Sequence, residues 1–202
     1  RQEMSAGNFQ PGEQLSEVKV AEQFGCSRNT LREAFTTLAA ERLVERIPHR
    51  GVFITTPDAA YIRDLFAARA AIEPAALLWG PDLDVERLDE LNKEARVAIE
   101  EEDDDLLIAV NQAFHHVVLA AMGSKTLGDT MDQLDAFLRL ATLPILERDP
   151  AFNRRFIEVN EHIVELVQSG DRQAASDYLQ VQLMEQAEAI IEMIEKINNG
   201  AV

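Results

Sequence analysis

Apolar residues recur along most of this chain at the spacing of helices. In SEVKVAEQF (16–24), Val18, Val20, Ala21 and Phe24 make an apolar face, with Ser16 suited to cap its start and Gly25 to stop it. Ser27 is placed to cap a second helix over 28–41, on which Leu31, Phe35 and Leu38 fall at i, i+4 and i+7. Two helices joined by a three-residue turn around Gly25 form a helix-turn-helix pattern. The period then changes. LVERI and GVFIT are β-branched runs separated by Pro48-His49-Arg50, which predicts a hairpin with that tip. An opening helix is expected to begin upstream of Arg1 and to end near Gly7, with Pro11-Gly12 as the turn after it. The sum is a winged helix-turn-helix.

Thr55-Thr56-Pro57-Asp58 breaks the pattern and reads as a linker. Beyond it the helical period predicts about six helices, over 58–79, 84–101, 104–122, 124–143, 150–169 and 171–198. Gly80-Pro81, Gly123-Ser124, Pro144 and Gly170 stand between them as breakers. There is no strand pattern here and no internal repeat. The expected architecture is therefore mainly α: an N-terminal winged helix-turn-helix with a small β-hairpin (1–56), then a C-terminal all-helical bundle of about six helices (57–202).

A chain of 202 residues suffices for one large domain or two unequal ones, and 47% hydrophobic with 27% charged residues is an ordinary globular composition. No apolar run reaches membrane-spanning length. The opening RQEMSAGNFQPGEQ has neither an initiator Met nor the charged-then-apolar order of a signal peptide. One cysteine, Cys26, excludes an internal disulfide framework and fits a reducing cytoplasm, where it reads as a structural thiol. Charge sharpens the division. Residues 1–56 carry seven Lys and Arg against seven Glu, so the whole formal charge of −17 falls on the remainder. Only the first module can approach nucleic acid without repulsion. The run Glu100–Asp105 (EEEDDD) reads as a solvated helix end, its last aspartates favourable to the next helix dipole.

Within the neutral module, Arg28, Asn29 and Arg32 lie on the side of their helix away from Leu31, Phe35 and Leu38. Arginine can fork onto guanine O6 and N7, and an amide can pair with adenine. Ser27, Thr30 and the free amides of the first turn suit phosphate oxygens. The tip His49-Arg50-Gly51 is placed to touch the backbone or an adjacent minor groove. The plainer alternative is that these arginines solvate the helix and pair with Glu33, Glu41 and Glu45.

The segment GEQLSEVKVAEQFGCSRNTLREAFTTLAAERLVERIPHRGVFIT resembles the DNA-binding domain of the GntR family of bacterial transcription regulators. The likeness covers 11–55 and rests on the Pro-Gly turn, Leu-Ser-Glu, the Ser-Arg-x-x-x-Arg-Glu-Ala helix, the Leu-Val strand and the Arg-Gly wing. It implies operator contacts from Arg28, Arg32 and the His49-Arg50-Gly51 tip; Asn29 stands where the family often has Thr. LFAARAAIEPAAL, NQAFHHVVLAAMGS and NEHIVELVQSGDRQAASDYLQVQLMEQ resemble successive segments of the FCD-type effector domain of the FadR-like branch, across 58–200. That implies a metabolite-responsive regulator, most often a repressor. It implies a homodimer on a palindromic operator, in the cytoplasm and held to the nucleoid through DNA, with an all-helical domain that binds a small carboxylate.

The FCD pattern also implies a metal site: an Asp, a His four residues later and two further histidines, suited to zinc or nickel. Here the positions are Asn111, His115, His162 and Gln182, so His115 and His162 keep imidazoles while two ligands have become amides. Such a set holds a transition metal far less tightly than three histidines and a carboxylate. Three readings stay open: a weak metal site, two hydrogen-bonded interior histidines, or a metal-free pocket contacting the effector through imidazoles and amides. His116 falls about 100° around the helix and is left outside. For an acidic effector, Arg69 (with Glu73 as its alternative partner) and Arg139 are the arginines most surrounded by apolar neighbours. The chain is not expected to be an enzyme: Glu-x-x-His occurs once, as Glu158…Glu161-His162, and there is no phosphate loop or nucleophile elbow. An interaction module that has lost effector binding is the other alternative.

Overall fold

A computed structural model describes residues 1–199. Its N-terminal part runs α1 (Gln2–Ser5), β1 (Gln14–Leu15), α2 (Glu17–Gln23), α3 (Arg28–Ala40), β2 (Val44–Ile47) and β3 (Gly51–Ile54). Both serine caps form: Ser16 Oγ accepts from the Lys19 amide at 3.5 Å and Ser27 Oγ from the Thr30 amide at 3.1 Å. The hairpin gains a third strand that was not expected. β1 pairs antiparallel with β3, giving the order β1-β3-β2, with Gln14 opposite Phe53 and Arg46 opposite Val52. At two residues, β1 is too short to show a period of two.

The expected face of α2 is corrected. Val20 and Ala21 are buried, but Val18 and Phe24 are 42% and 47% exposed. A helix of two turns offers the core only one narrow stripe, and α3 fills the rest with Leu31 and Phe35.

The second part comprises α4 (Ala59–Trp79), α5 (Val85–Glu100), α6 (Asp104–Ala120), α7 (Lys125–Leu146), a 3-10 segment (Pro150–Phe156), α8 (Ile157–Gln168) and α9 (Arg172–Asn198). Asp58, Asp84, Asp103, Ser124 and Asp171 each accept the amide three residues ahead, so short polar residues start five of these helices. Pro144 does not end α7, which continues to Leu146. Proline within a helix deprives the carbonyl four residues back of its donor. At Pro74 in α4 that carbonyl is Ala70 O, and Gln180 Nε2 of α9 reaches it at 3.4 Å. Ser176 Oγ donates to Pro74 O at 2.9 Å, so α9 lies along α4 and repairs it.

Two apolar cores result. Met4, Phe9, Leu15, Leu31, Phe35, Leu43 and Ile54 form the smaller, and it is completed by Ala136 and Leu140, which belong to α7 of the bundle. Met131, Leu134, Ala141 and Ile145 of the same helix lie in the larger core, while Phe137 packs against both. The two parts thus share one helix. Leu140→Ala is expected to destabilise the fold by about 2–5 kcal/mol and to lower hydrogen-exchange protection in α3 along with that in α7. Unchanged protection in α3 would mean that the smaller core stands without α7.

Candidate nucleic-acid interface and effector site

The N-terminal end of α3 presents its polar residues to solvent. Arg28, Asn29, Thr30 and Arg32 are all exposed, as are His49, Arg50 and Gly51 of the wing. The Ser27 hydroxyl is already engaged, accepting the cap bond and lying 2.9 Å from Thr30 Oγ1. Arg32 is not free in the way Arg28 is. Its Nε donates to Glu17 Oε1 and Oε2 at 3.0 and 2.9 Å, and its Nη2 lies 2.9 Å from Oε2 in the same ion pair. The partner is therefore Glu17 of α2, not Glu33, Glu41 or Glu45. Glu17 is held below the usual carboxylate range by this bond first, with Arg28 and Arg46 adding to it.

The wing is built with similar care. The Arg50 amide donates to Ile47 O at 3.0 Å, closing a turn with Pro48 and His49 at its centre. His49 has φ 63°, the left-handed conformation a type II turn needs at its third position. Gly51 follows with φ 106°, where a side chain would be strained. Gln14 Nε2 donates to Arg50 O at 2.6 Å and anchors the tip to β1. Arg46 Nη2 donates to Arg32 O and Thr36 Oγ1, both at 2.9 Å, fastening β2 to α3.

Of the four positions expected to form one set, Asn111, His115, His162 and Gln182, only His115 and Gln182 line the same cavity, and Arg139, one of the two arginines considered for an acidic effector, lies apart from it. His115, Gln182, Asn160 and Gln186 surround a cavity of about 10 Å³ between α6, α8 and α9, room for a single water. Asn111 Oδ1 accepts from Asn160 Nδ2 at 2.8 Å. His162 turns outward: its side chain is 47% exposed, its Nδ1 lies 3.1 Å from Glu165 and its ring meets Tyr178 edge-on at 4.8 Å. Gln182 Nε2 donates to Glu185 at 2.9 Å.

Arg69 does pair with Glu73, and sequence spacing could not show the third member. Arg69 Nε donates to Glu73 Oε1 at 2.5 Å, and His115 Nδ1 donates to Glu73 Oε2 at 2.6 Å, all three buried. Burial opposes the charge on Glu73, but Arg69 and His115 outweigh it and lower its pKa to about 2. Arg139 lies elsewhere, lining a cleft of about 1020 Å³ between the small core and the bundle. Its guanidinium sits so close under Gly7 (φ 83°) that a Cβ there would be 2.7 Å from Nη2. Burial depresses its pKa, opposed by Asp105 at 3.5 Å. Its Nε and Nη1 find no hydrogen-bond partner among the described residues. His116 faces the same cleft; its Nε2 is 2.6 Å from Asp135 Oδ2, which raises its pKa against the opposing effect of burial.

Comparison with known proteins agrees with this architecture. Residues 1–54 match the model of the bacterial regulatory proteins of the gntR family, and residues 64–186 match the FCD domain. The chain belongs to the GntR family and carries an FCD domain. A putative GntR transcriptional regulator from Rhodococcus sp. RHA1 superposes with a TM-score of 0.82 at 26% identity, covering 95% of this chain and 93% of that one. An uncharacterized HTH-type regulator of Bacillus subtilis, YdhC, is 25% identical over 94% of this chain and 87% of its own length. The Escherichia coli repressor RspR is 30% identical over 62% of this chain, and the match spans 57% of RspR. Like its relatives, this GntR protein is a DNA-binding transcription regulator, and no described helix is long and apolar enough to cross a membrane.

Against the metal pattern of an FCD domain, the residues present do not fit. Asn111 and Gln182 offer neutral amides already bonded to neighbours, His115 commits Nδ1 to Glu73, and His162 faces Glu165. Among the described residues no group of three His, Cys, Asp or Glu side chains is placed to hold a metal ion. The partners that matter here, Glu17 for Arg32, Glu73 for His115, Asn160 for Asn111 and Asp135 for His116, each lie on a different helix from the residue they serve. Only Glu73 had a local signal, its i+4 distance from Arg69.

Removing Glu73's charge would leave Arg69 buried and uncompensated. Glu73→Gln is expected to cost about 3–5 kcal/mol in chemical denaturation at pH 7. Because the folded pKa is below the ordinary value, wild type keeps this stabilisation above about pH 4.5 and loses it progressively toward pH 2. The gap between wild type and variant should therefore narrow in acid; a constant gap would deny the ion pair.

Proposed function

We propose that this protein is a repressor that binds a palindromic operator as a homodimer and responds to a small organic acid. The observation that carries the DNA-reading part is the exposure of Arg28, Asn29 and Arg32 at the capped start of α3, beside a braced wing with an exposed His49 and Arg50. A recognition helix enters the major groove by this end. Ser27 and Thr30 take backbone phosphates, the arginines read guanine edges, Asn29 reads adenine, and the His49-Arg50-Gly51 tip touches the flanking groove. One such helix covers only a few base pairs, which favours two copies on paired half-sites.

The acid is proposed to enter beside His115, between α6, α8 and α9, where His115, Asn160, Gln182 and Gln186 converge. Imidazole and amides bind it there without a metal. Arg69 is the buried cation behind His115, reached by displacing Glu73. Spreading these helices would move α7, and α7 completes the core of the DNA-binding part. The near-closure of that cavity favours one second reading: a regulator whose DNA binding no ligand controls. A thermal-shift screen of organic acids separates them, since no stabilisation by any acid would support the second.

Duplexes enriched from a random-sequence pool by the wild-type protein provide the main test. Arg28→Ala and Arg32→Ala should each weaken binding to them by about tenfold or more while leaving the melting temperature unchanged; undiminished affinity in both would refute the recognition-helix assignment. Because His162 faces Glu165 at the surface, Asn111→Asp with Gln182→His should leave the zinc content of the purified protein unchanged, measured by elemental analysis. A rise in zinc would mean that these four positions do share a site.

A further inference from the structure

We infer that Glu17 is a positioning residue for DNA readout, one that raises sequence discrimination by orienting Arg32 and by weakening attraction to DNA of any sequence. The inference rests on the DNA-binding reading above and concerns a residue outside the recognition helix.

The geometry is specific. Glu17 is the first residue of α2, directly after the Ser16 cap, and its carboxylate crosses to α3. It grips the side edge of Arg32, accepting from Nε–H at 2.9 and 3.0 Å, with Nη2 forming an ion pair at 2.9 Å. That leaves the outer edge, one Nη1 proton and one Nη2 proton, the pair of donors that can fork onto guanine O6 and N7. Arg32 remains 59% exposed at its side chain while so held. An unrestrained arginine can instead swing to whichever phosphate is nearest, and phosphate contacts carry no sequence information.

Charge acts in the same direction. Arg28, Arg32 and Arg46 all bear on the Glu17 carboxylate. Arg46 is committed to the Arg32 carbonyl and Thr36, so it cannot take over the guanidinium's role. A carboxylate among three cations lowers the pull on the phosphate backbone wherever the protein lands. The oriented guanidinium repays this only where a matching base is present. Glu17 therefore lowers non-specific affinity while preserving specific affinity.

The full chain is tested with Glu17→Gln and Glu17→Asp, on the enriched duplex and on a shuffled duplex of the same composition, by fluorescence anisotropy across a salt series. Glu17→Gln should bind the shuffled duplex more tightly, with its salt slope steeper by about 0.9, one added phosphate contact, and the ratio of specific to shuffled affinity should fall about tenfold. Glu17→Asp keeps the charge but is too short for the side-edge grip, so it should lose affinity for the enriched duplex without gaining any for the shuffled one. An unchanged ratio in Glu17→Gln, or an equal loss on both duplexes with a lower melting temperature, overturns the proposal and leaves a simple tie between α2 and α3. If the wild type enriches no sequence at all, the DNA-reading assignment itself fails and the inference falls with it.

Discussion

Helix α7 belongs to two cores at once. Ala136 and Leu140 point into the small DNA-binding part, Met131, Leu134, Ala141 and Ile145 into the bundle, and Phe137 touches both. Close-packed interiors shift between discrete arrangements rather than deforming smoothly. A displacement of α7 therefore cannot be confined to one side. This shared helix makes a small winged domain and a large acidic bundle one mechanical object, and it gives any event in the bundle a route to the core beneath α3.

The same helix carries Asp135, which holds His116, and Arg139, which lies beneath Gly7 at the end of α1. His115, one residue before His116, holds Glu73 of α4. Two adjacent histidines on α6 thus face in different directions, one toward the buried Arg69–Glu73 pair and the other toward α7. The chain's arginines divide by environment in a comparable way. Arg69 is enclosed and paired with a carboxylate, though its Nη1 has no partner among the described residues; Arg139 is enclosed and only weakly compensated, and Arg28 and Arg32 stand in solvent where phosphate and base edges can be reached. Burial decides which of them can serve packing and which stay open to a partner.

Much of the local architecture was legible in advance. Ser16 and Ser27 cap the helices they were expected to cap, Leu31 and Phe35 face inward, and Pro48-His49-Arg50 forms the hairpin tip. Each is a matter of neighbours within about four residues, where capping geometry and helical period act directly. The errors have the opposite character. Val18 and Phe24 lie exposed because a short helix cannot bury every apolar residue, and Pro144 is absorbed into α7. The candidate effector residues scatter because one helix pair aims His115 inward while another leaves His162 at the surface.

From residue order alone came a winged helix-turn-helix followed by a helical bundle, and an arginine-bearing face on α3 within an acidic chain. These follow from period, capping and charge distribution, which short-range sterics and Coulomb interactions impose before the chain closes. Which carboxylate holds which arginine was settled only by packing. Glu17 reaches Arg32 across a turn, Glu73 meets His115 from another helix, and Leu140 enters a core more than eighty residues away in the chain. Such pairings depend on helix crossing and side-chain direction, and no one-dimensional pattern contains either.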